Sequence, residues 1–92
     1  MITHFTRKVF DLSGIPKADN GPPIPGDMIW LDWKDDHGEH AVSYLIPPGG
    51  WKKSTLFVGC GQCLGHHAIC LEEHVPIEMC SKNQRRQGTC AP

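Results

Sequence analysis

No apolar run in this chain approaches the roughly eighteen residues that a membrane span requires, so no membrane partner is expected. The opening stretch, MITHFTRKVFDL, lacks the continuous apolar core of a secretory signal. A cytoplasmic, reducing setting is therefore expected. There thiols stay free, and a Cys-x-x-Cys pair is a metal site or redox pair, not a structural cross-link. A surplus of positive charge is missing too. The formal net charge is −1, with −3 over residues 1–50 and +2 over residues 51–92. Proteins that live on nucleic acid usually carry a strong basic bias, and this chain does not. It shows no internal repeat and no complete catalytic constellation.

The chain is also short of core. Its 92 residues read as a single domain. A chain of this length buries only roughly 60–65% of the surface that its unfolded form exposes. Ten glycines and eight prolines impose many turns and short elements, which shrink the core further. Folds of this size usually depend on a metal or on cross-links, and five cysteines, an odd number, supply the means.

Residues 1–12 fit either a helical face or an alternating strand, and Thr3, Thr6, Val9 and Phe10 favour a short edge strand. Residues 13–26, SGIPKADNGPPIPG, hold four prolines and three glycines and read as an extended arm. Residues 27–46 give a β-hairpin. In the first run Ile29, Leu31 and Trp33 alternate with Met28, Trp30 and Asp32, and in the second His40, Val42, Tyr44 and Ile46 alternate with Ala41, Ser43 and Leu45. Asp35-Asp36-His37-Gly38 is the turn between them. Pro47-Pro48-Gly49-Gly50 ends the hairpin. After Leu71, Pro76 prevents a helix from running through, and residues 81–89 contain no apolar side chain. At most a helical turn is expected within 80–88.

Residues 56–71, LFVGCGQCLGHHAICL, carry the strongest signal. Cys60 and Cys63 stand two residues apart with Gly61 inside the pair and Gly65 after it. A tight turn of that kind aims two thiolates and several backbone N–H groups at one point. The glycines are expected to supply positive φ and room for the backbone. This stretch resembles the knuckle half of zinc-ribbon proteins. The expected fold is thus small and mostly β: a zinc-ribbon-like hairpin at 54–71 inside a zinc-binding module at 54–90, the 27–46 hairpin, and little helix. One structural Zn²⁺ per chain is expected.

Zinc needs two more ligands. Cys80 follows Cys63 at a ribbon-like separation, and Cys90 lies ten residues beyond it, so Cys60, Cys63, Cys80 and Cys90 form the first ligand set. Cys70 and His74, with three residues between them, are alternates, as is His66. Cys70 reads more simply as a small buried hydrophobe. His37 and His40 sit beside acidic residues and read as solvated turn residues, while Trp30, Trp33 and Trp51 read as core.

Three functions fit this reading. In the first, a non-catalytic zinc-stabilised module binds a protein partner through its acidic hairpin tip (Asp35, Asp36, Glu39), its basic C-terminal loop (Lys82, Arg85, Arg86), its proline-rich arm and Trp51. Small domains of this make-up resemble phage-encoded accessory proteins, such as inhibitors of host machinery or virion components. In the second, the chain is a nucleic-acid-binding zinc ribbon, with Lys52, Lys53, Lys82, Arg85 and Arg86 on phosphates and Trp51 as a stacking platform. The third is an enzyme. Cys60-x-x-Cys63 followed by Glu73-His74-Val75-Pro76 and Cys80-Ser81-Lys82-Asn83 resembles the HNH nuclease pattern, which implies His74 as general base. Only five residues separate His74 from Cys80, and no second Cys-x-x-Cys follows. The non-catalytic protein-binding module is the reading preferred.

Overall fold

Alternation decides which side chains of the first hairpin face inward. Ile29, Leu31 and Trp33 are buried on β2 (Met28–Asp35), and the residues between them are not. On β3 (Gly38–Leu45) the partners directly across from these three are Tyr44, Val42 and His40. All six therefore stand on one face, as the period of two requires. The two-residue connection Asp36-His37 is made possible by Gly38, whose φ of 117° suits no other residue. β1 (Thr3–Phe10) pairs antiparallel with β2 and forms the edge, as expected. A register shift between Thr3 and Thr6 accompanies the left-handed φ of 56° at His4.

A computed structural model describes residues 1–17 and 22–81 of the chain. Among the described residues the architecture is two antiparallel three-stranded sheets and almost no helix. The second sheet has the order β4 (Thr55–Gly59), β5 (His66–Cys70), β6 (Val75–Pro76), and a single 3₁₀ turn follows at Ile77–Met79. That turn precedes the 80–88 segment, of which residues 82–88 lie outside the described residues.

The inner faces of the two sheets share one core. Val9, Ile29, Leu31, Trp33, Val42, Tyr44 and Ile46 from the first meet Cys60, Ile69 and Leu71 from the second. Leu56 and Val58, which stand opposite Ile69 and His67 on β4–β5, pack against it. Each fully buried Ile or Leu contributes about 1.5–3 kcal/mol. Ile29, Leu31 and Ile69 all have 0% relative exposure, so truncating any of them opens a cavity.

The Pro/Gly-rich arm lies along its own sheet at both described ends. Lys17 N–H donates to Val9 O at 2.7 Å, and Gly26 N–H donates to Ile46 O at 2.9 Å. Buried Asp27 draws the ends together, its Oδ2 accepting from Ile24 N–H and from Lys17 Nζ, each at 2.9 Å. Those two hydrogen bonds, the backbone one first, hold the Asp27 carboxyl below its ordinary pKa even though burial opposes the charge. Residues 18–21 of the arm lie outside the described residues.

Candidate metal centre

The knuckle forms where β4 ends. Cys60 N–H donates to Gly65 O at 2.7 Å and closes the turn, while Gln62 and Cys63 aim their N–H groups at Cys60 Sγ from 3.4 and 3.3 Å. Gly61 N–H donates to Ala41 O at 3.1 Å, which fastens the knuckle to β3 of the other sheet. The expectation about the glycines needs correction. The positive φ falls on Leu64, at 60°, and neither Gly61 nor Gly65 adopts one.

Four donors converge beside this turn. His40, Cys60, Cys63 and His67 place one ligand atom each within 4.8 Å of all the others, close enough to hold a metal ion. His40 Nδ1 lies 3.9 Å from Cys60 Sγ, and His67 Nε2 lies 3.4 Å from Cys63 Sγ. The donors come from three places: His40 from β3, the two cysteines from the knuckle, and His67 from β5. The cluster therefore bridges the two sheets. Trp33 forms its floor, with its ring 5.5 Å from that of His40 and 5.2 Å, edge-on, from that of His67.

The groups of the cluster shift one another's protonation. Burial raises the Cys60 pKa, but donors from Ala41, Cys63 and Gln62 outweigh it and bring the thiol down to about 6. Cys63, hydrogen-bonded to Cys60, is pushed up, because two adjacent thiols do not both ionise without a cation between them. Burial works against a charge on His40, yet its hydrogen bonds to Asp35 and Cys60 raise its pKa above the ordinary value. Asp35 is desolvated as well, but the His40 and His37 N–H donors hold its carboxyl low.

The structure redistributes the residues singled out from the sequence. It brings Cys60 and Cys63 together, but with two histidines. Cys80 is not part of the cluster; its Sγ lies 2.7 Å from that of Cys70, in a separate small core with Val75. Cys90, Lys82, Arg85 and Arg86 lie outside the described residues. Of the alternates, His66 is exposed on the outer face of β5, and Cys70 is buried as expected but against Cys80. His74 Nδ1 accepts from the Tyr44 hydroxyl at 2.6 Å and lies outside the metal cluster.

His40 is the largest correction, for it is 2% exposed and not a solvated turn residue. Asp35 likewise turns inward to His40, whereas Asp36 remains exposed and meets the N-terminal ammonium at 3.3 Å. Trp51 packs edge to face on Tyr44 at 6.2 Å and against the core, so it is not an open stacking platform. The parity signal for both histidines was present in the sequence. His40 alternates with Val42, Tyr44 and Ile46, and His67 alternates with Ile69 and Leu71, so each occupies the inward phase of its strand. No protein-family model, curated protein or solved structure matches this chain.

Proposed function

We propose that the Cys₂His₂ cluster is a structural zinc centre, and that the chain is a small non-catalytic protein that works by occupying a surface on a protein partner. The observation that carries this reading is the donor set itself. Zinc takes sulfur at about 2.3 Å and nitrogen at about 2.0–2.1 Å, so tetrahedral S and N ligands stand about 3.5 Å apart. The observed S···N separations of 3.9 and 3.4 Å bracket that value. Two thiolates and two neutral imidazoles also cancel the charge of Zn²⁺, which suits a site walled by Trp33. Soft sulfur with imidazole in this geometry favours zinc over calcium or magnesium.

All four positions are filled by protein side chains, leaving none for an activated water, so the centre supports folding and not Lewis-acid chemistry. Contact surfaces are what remain. Leu12, Ile15, Ile24 and Leu45 are exposed, at 84, 59, 54 and 65%, on and beside the arm, and exposed apolar groups in such number favour a protein partner. The role suits an accessory protein, including the phage inhibitors and virion components named above.

A pull-down from the native host with zinc-loaded protein tests this reading, run at low and high salt and with nuclease. A stoichiometric protein that survives nuclease and salt supports it. Loss of every partner on nuclease treatment, with steep salt dependence, would assign the chain to nucleic acid instead.

A further inference from the structure

A second sulfur pair lies apart from the metal cluster. Cys70, at the end of β5, and Cys80, just after the 3₁₀ turn, have their Sγ atoms 2.7 Å apart and are each 2% exposed. A disulfide places its sulfurs at about 2.05 Å, so closing this bond asks for about 0.6–0.7 Å of movement. Val75 shares their core, with Phe5, Ile77 and Met79 packed around it. Among the described residues no third His, Cys, Asp or Glu completes a metal-holding group around them. Glu73 Oε2 accepts from Cys80 Sγ at 3.7 Å and from Ser81 Oγ at 2.6 Å.

We propose that Cys70 and Cys80 are a redox-active dithiol that closes to a disulfide with a low-molecular-weight disulfide as oxidant, independently of the metal centre. Cys80 is the attacking thiol. Its side of the pair is held by a strand of only two residues and one 3₁₀ turn, against the five residues of β5, so this end opens more readily. The Cys80 thiol gives up its proton, with the Glu73 carboxylate at hand to accept it, and the thiolate attacks one sulfur of the oxidant. The oxidant's S–S bond breaks, a mixed disulfide forms on Cys80, and one small thiol leaves with a proton. Cys70 then loses its proton and attacks the Cys80 sulfur, and a second small thiol leaves. Two protein thiols are oxidised and one small disulfide is reduced to two thiols. The product fastens residue 80, and hence the base of the C-terminal segment, to the second sheet.

The test uses the full zinc-loaded chain in a series of oxidised and reduced glutathione mixtures, quenched in acid, alkylated and mapped by mass spectrometry. Cys70 and Cys80 should lose alkylation together in one transition and appear as one cross-linked peptide, with a single zinc retained throughout. Cys90→Ser should leave that transition in place, and Cys80→Ser should abolish the cross-link at Cys70. Both thiols still alkylated at the most oxidising mixture would overturn the proposal. So would pairing with Cys90 or Cys63, or a second zinc bound at this pair. Failure of the structural zinc reading shows separately, as a chain without zinc whose Cys70–Cys80 transition is intact.

Discussion

Asp35 Oδ1 lies 2.8 Å from His40 Nε2, five residues on across the β2–β3 turn. The same oxygen accepts the His37 N–H at 2.8 Å, so it is fixed from two sides. Nε2 thereby carries a hydrogen, and Nδ1 is aimed at Cys60 Sγ, where its lone pair would serve a bound metal ion. Carboxylates set the tautomer and orientation of metal-binding histidines in this way. Asp35→Asn keeps the size of the side chain and removes its charge. Zinc affinity, measured by competition with a chromophoric chelator, should fall about 10- to 100-fold with the fold retained. An unchanged affinity would remove Asp35 from the site.

The ligand assignment separates cleanly from the four-cysteine set that spacing suggests. Native mass spectrometry should find one zinc per chain in wild type, Cys80→Ser and His66→Ala, and none in Cys60→Ser, Cys63→Ser or His67→Ala. A structural zinc site contributes about 10–16 kcal/mol of apparent binding energy near neutral pH. A domain's whole stability is about 5–15 kcal/mol. Cys60→Ser should therefore abolish cooperative unfolding. Zinc lost from Cys80→Ser but kept in His67→Ala would restore the four-cysteine set.

Much of this fold is legible in the residue pattern. The alternation from Met28 to Asp35 and from Gly38 to Leu45 is local and regular, and the Cys60–Cys63 spacing marks a turn. The edge strand β1 follows from its β-favouring residues in the same way. The third and fourth donors are harder to find, because their proximity depends on one sheet packing on another and no spacing along the chain encodes that. Cys80 shows the converse, for its separation from Cys63 suits a ribbon, yet the bend at Glu73–Pro76 delivers it to Cys70. A histidine in the inward phase of a strand is the usable clue. Acidic neighbours made His40 read as solvated, although one of them, Asp35, turns inward with it.

Leu64 offers a test of the knuckle backbone. Its φ is 60° and its side chain is 91% exposed, so it carries the conformational cost of the left-handed region with little packing in return. That cost is about 1–2 kcal/mol for a residue with a Cβ. Glycine removes it but loses about 0.5–1 kcal/mol through a freer unfolded chain. Leu64→Gly should therefore be neutral to about 1.5 kcal/mol stabilising in urea unfolding of the zinc-loaded protein. Glycine at Gly65 faces a different constraint, since a Cβ there would sit 3.5 Å from Cys63 Sγ, which is ordinary contact. Gly65→Ala should accordingly retain zinc. Its loss would show that this turn tolerates less than its geometry implies.

His74 predicts how the fold responds to acid. Burial lowers its pKa below 6.5, and the Arg7 guanidinium lowers it further. Burial raises the Tyr44 phenol, which stays protonated and donates to His74 Nδ1 at 2.6 Å. Arg7 is held in place by Glu73 O and His74 O, at 2.9 and 3.1 Å. Protonating His74 would turn its acceptor into a donor facing the phenol and would add a charge beside Arg7. Its folded pKa lies below its unfolded one, so the unfolded chain binds the proton first. The contribution of neutral His74 is therefore complete above pH 6.5 and is lost as pH falls through the folded pKa. Metal binding by thiolate and imidazole groups is itself pH-dependent, because protons compete with the ion, so wild type alone does not isolate the effect. His74→Asn retains an acceptor, tolerates the left-handed φ of 55°, and has no proton to gain. Measured at matched zinc, the stability of wild type relative to this variant should fall steadily as pH drops below 6.5. A difference that stays constant with pH would show that the Tyr44–His74 pair does not couple proton uptake to folding.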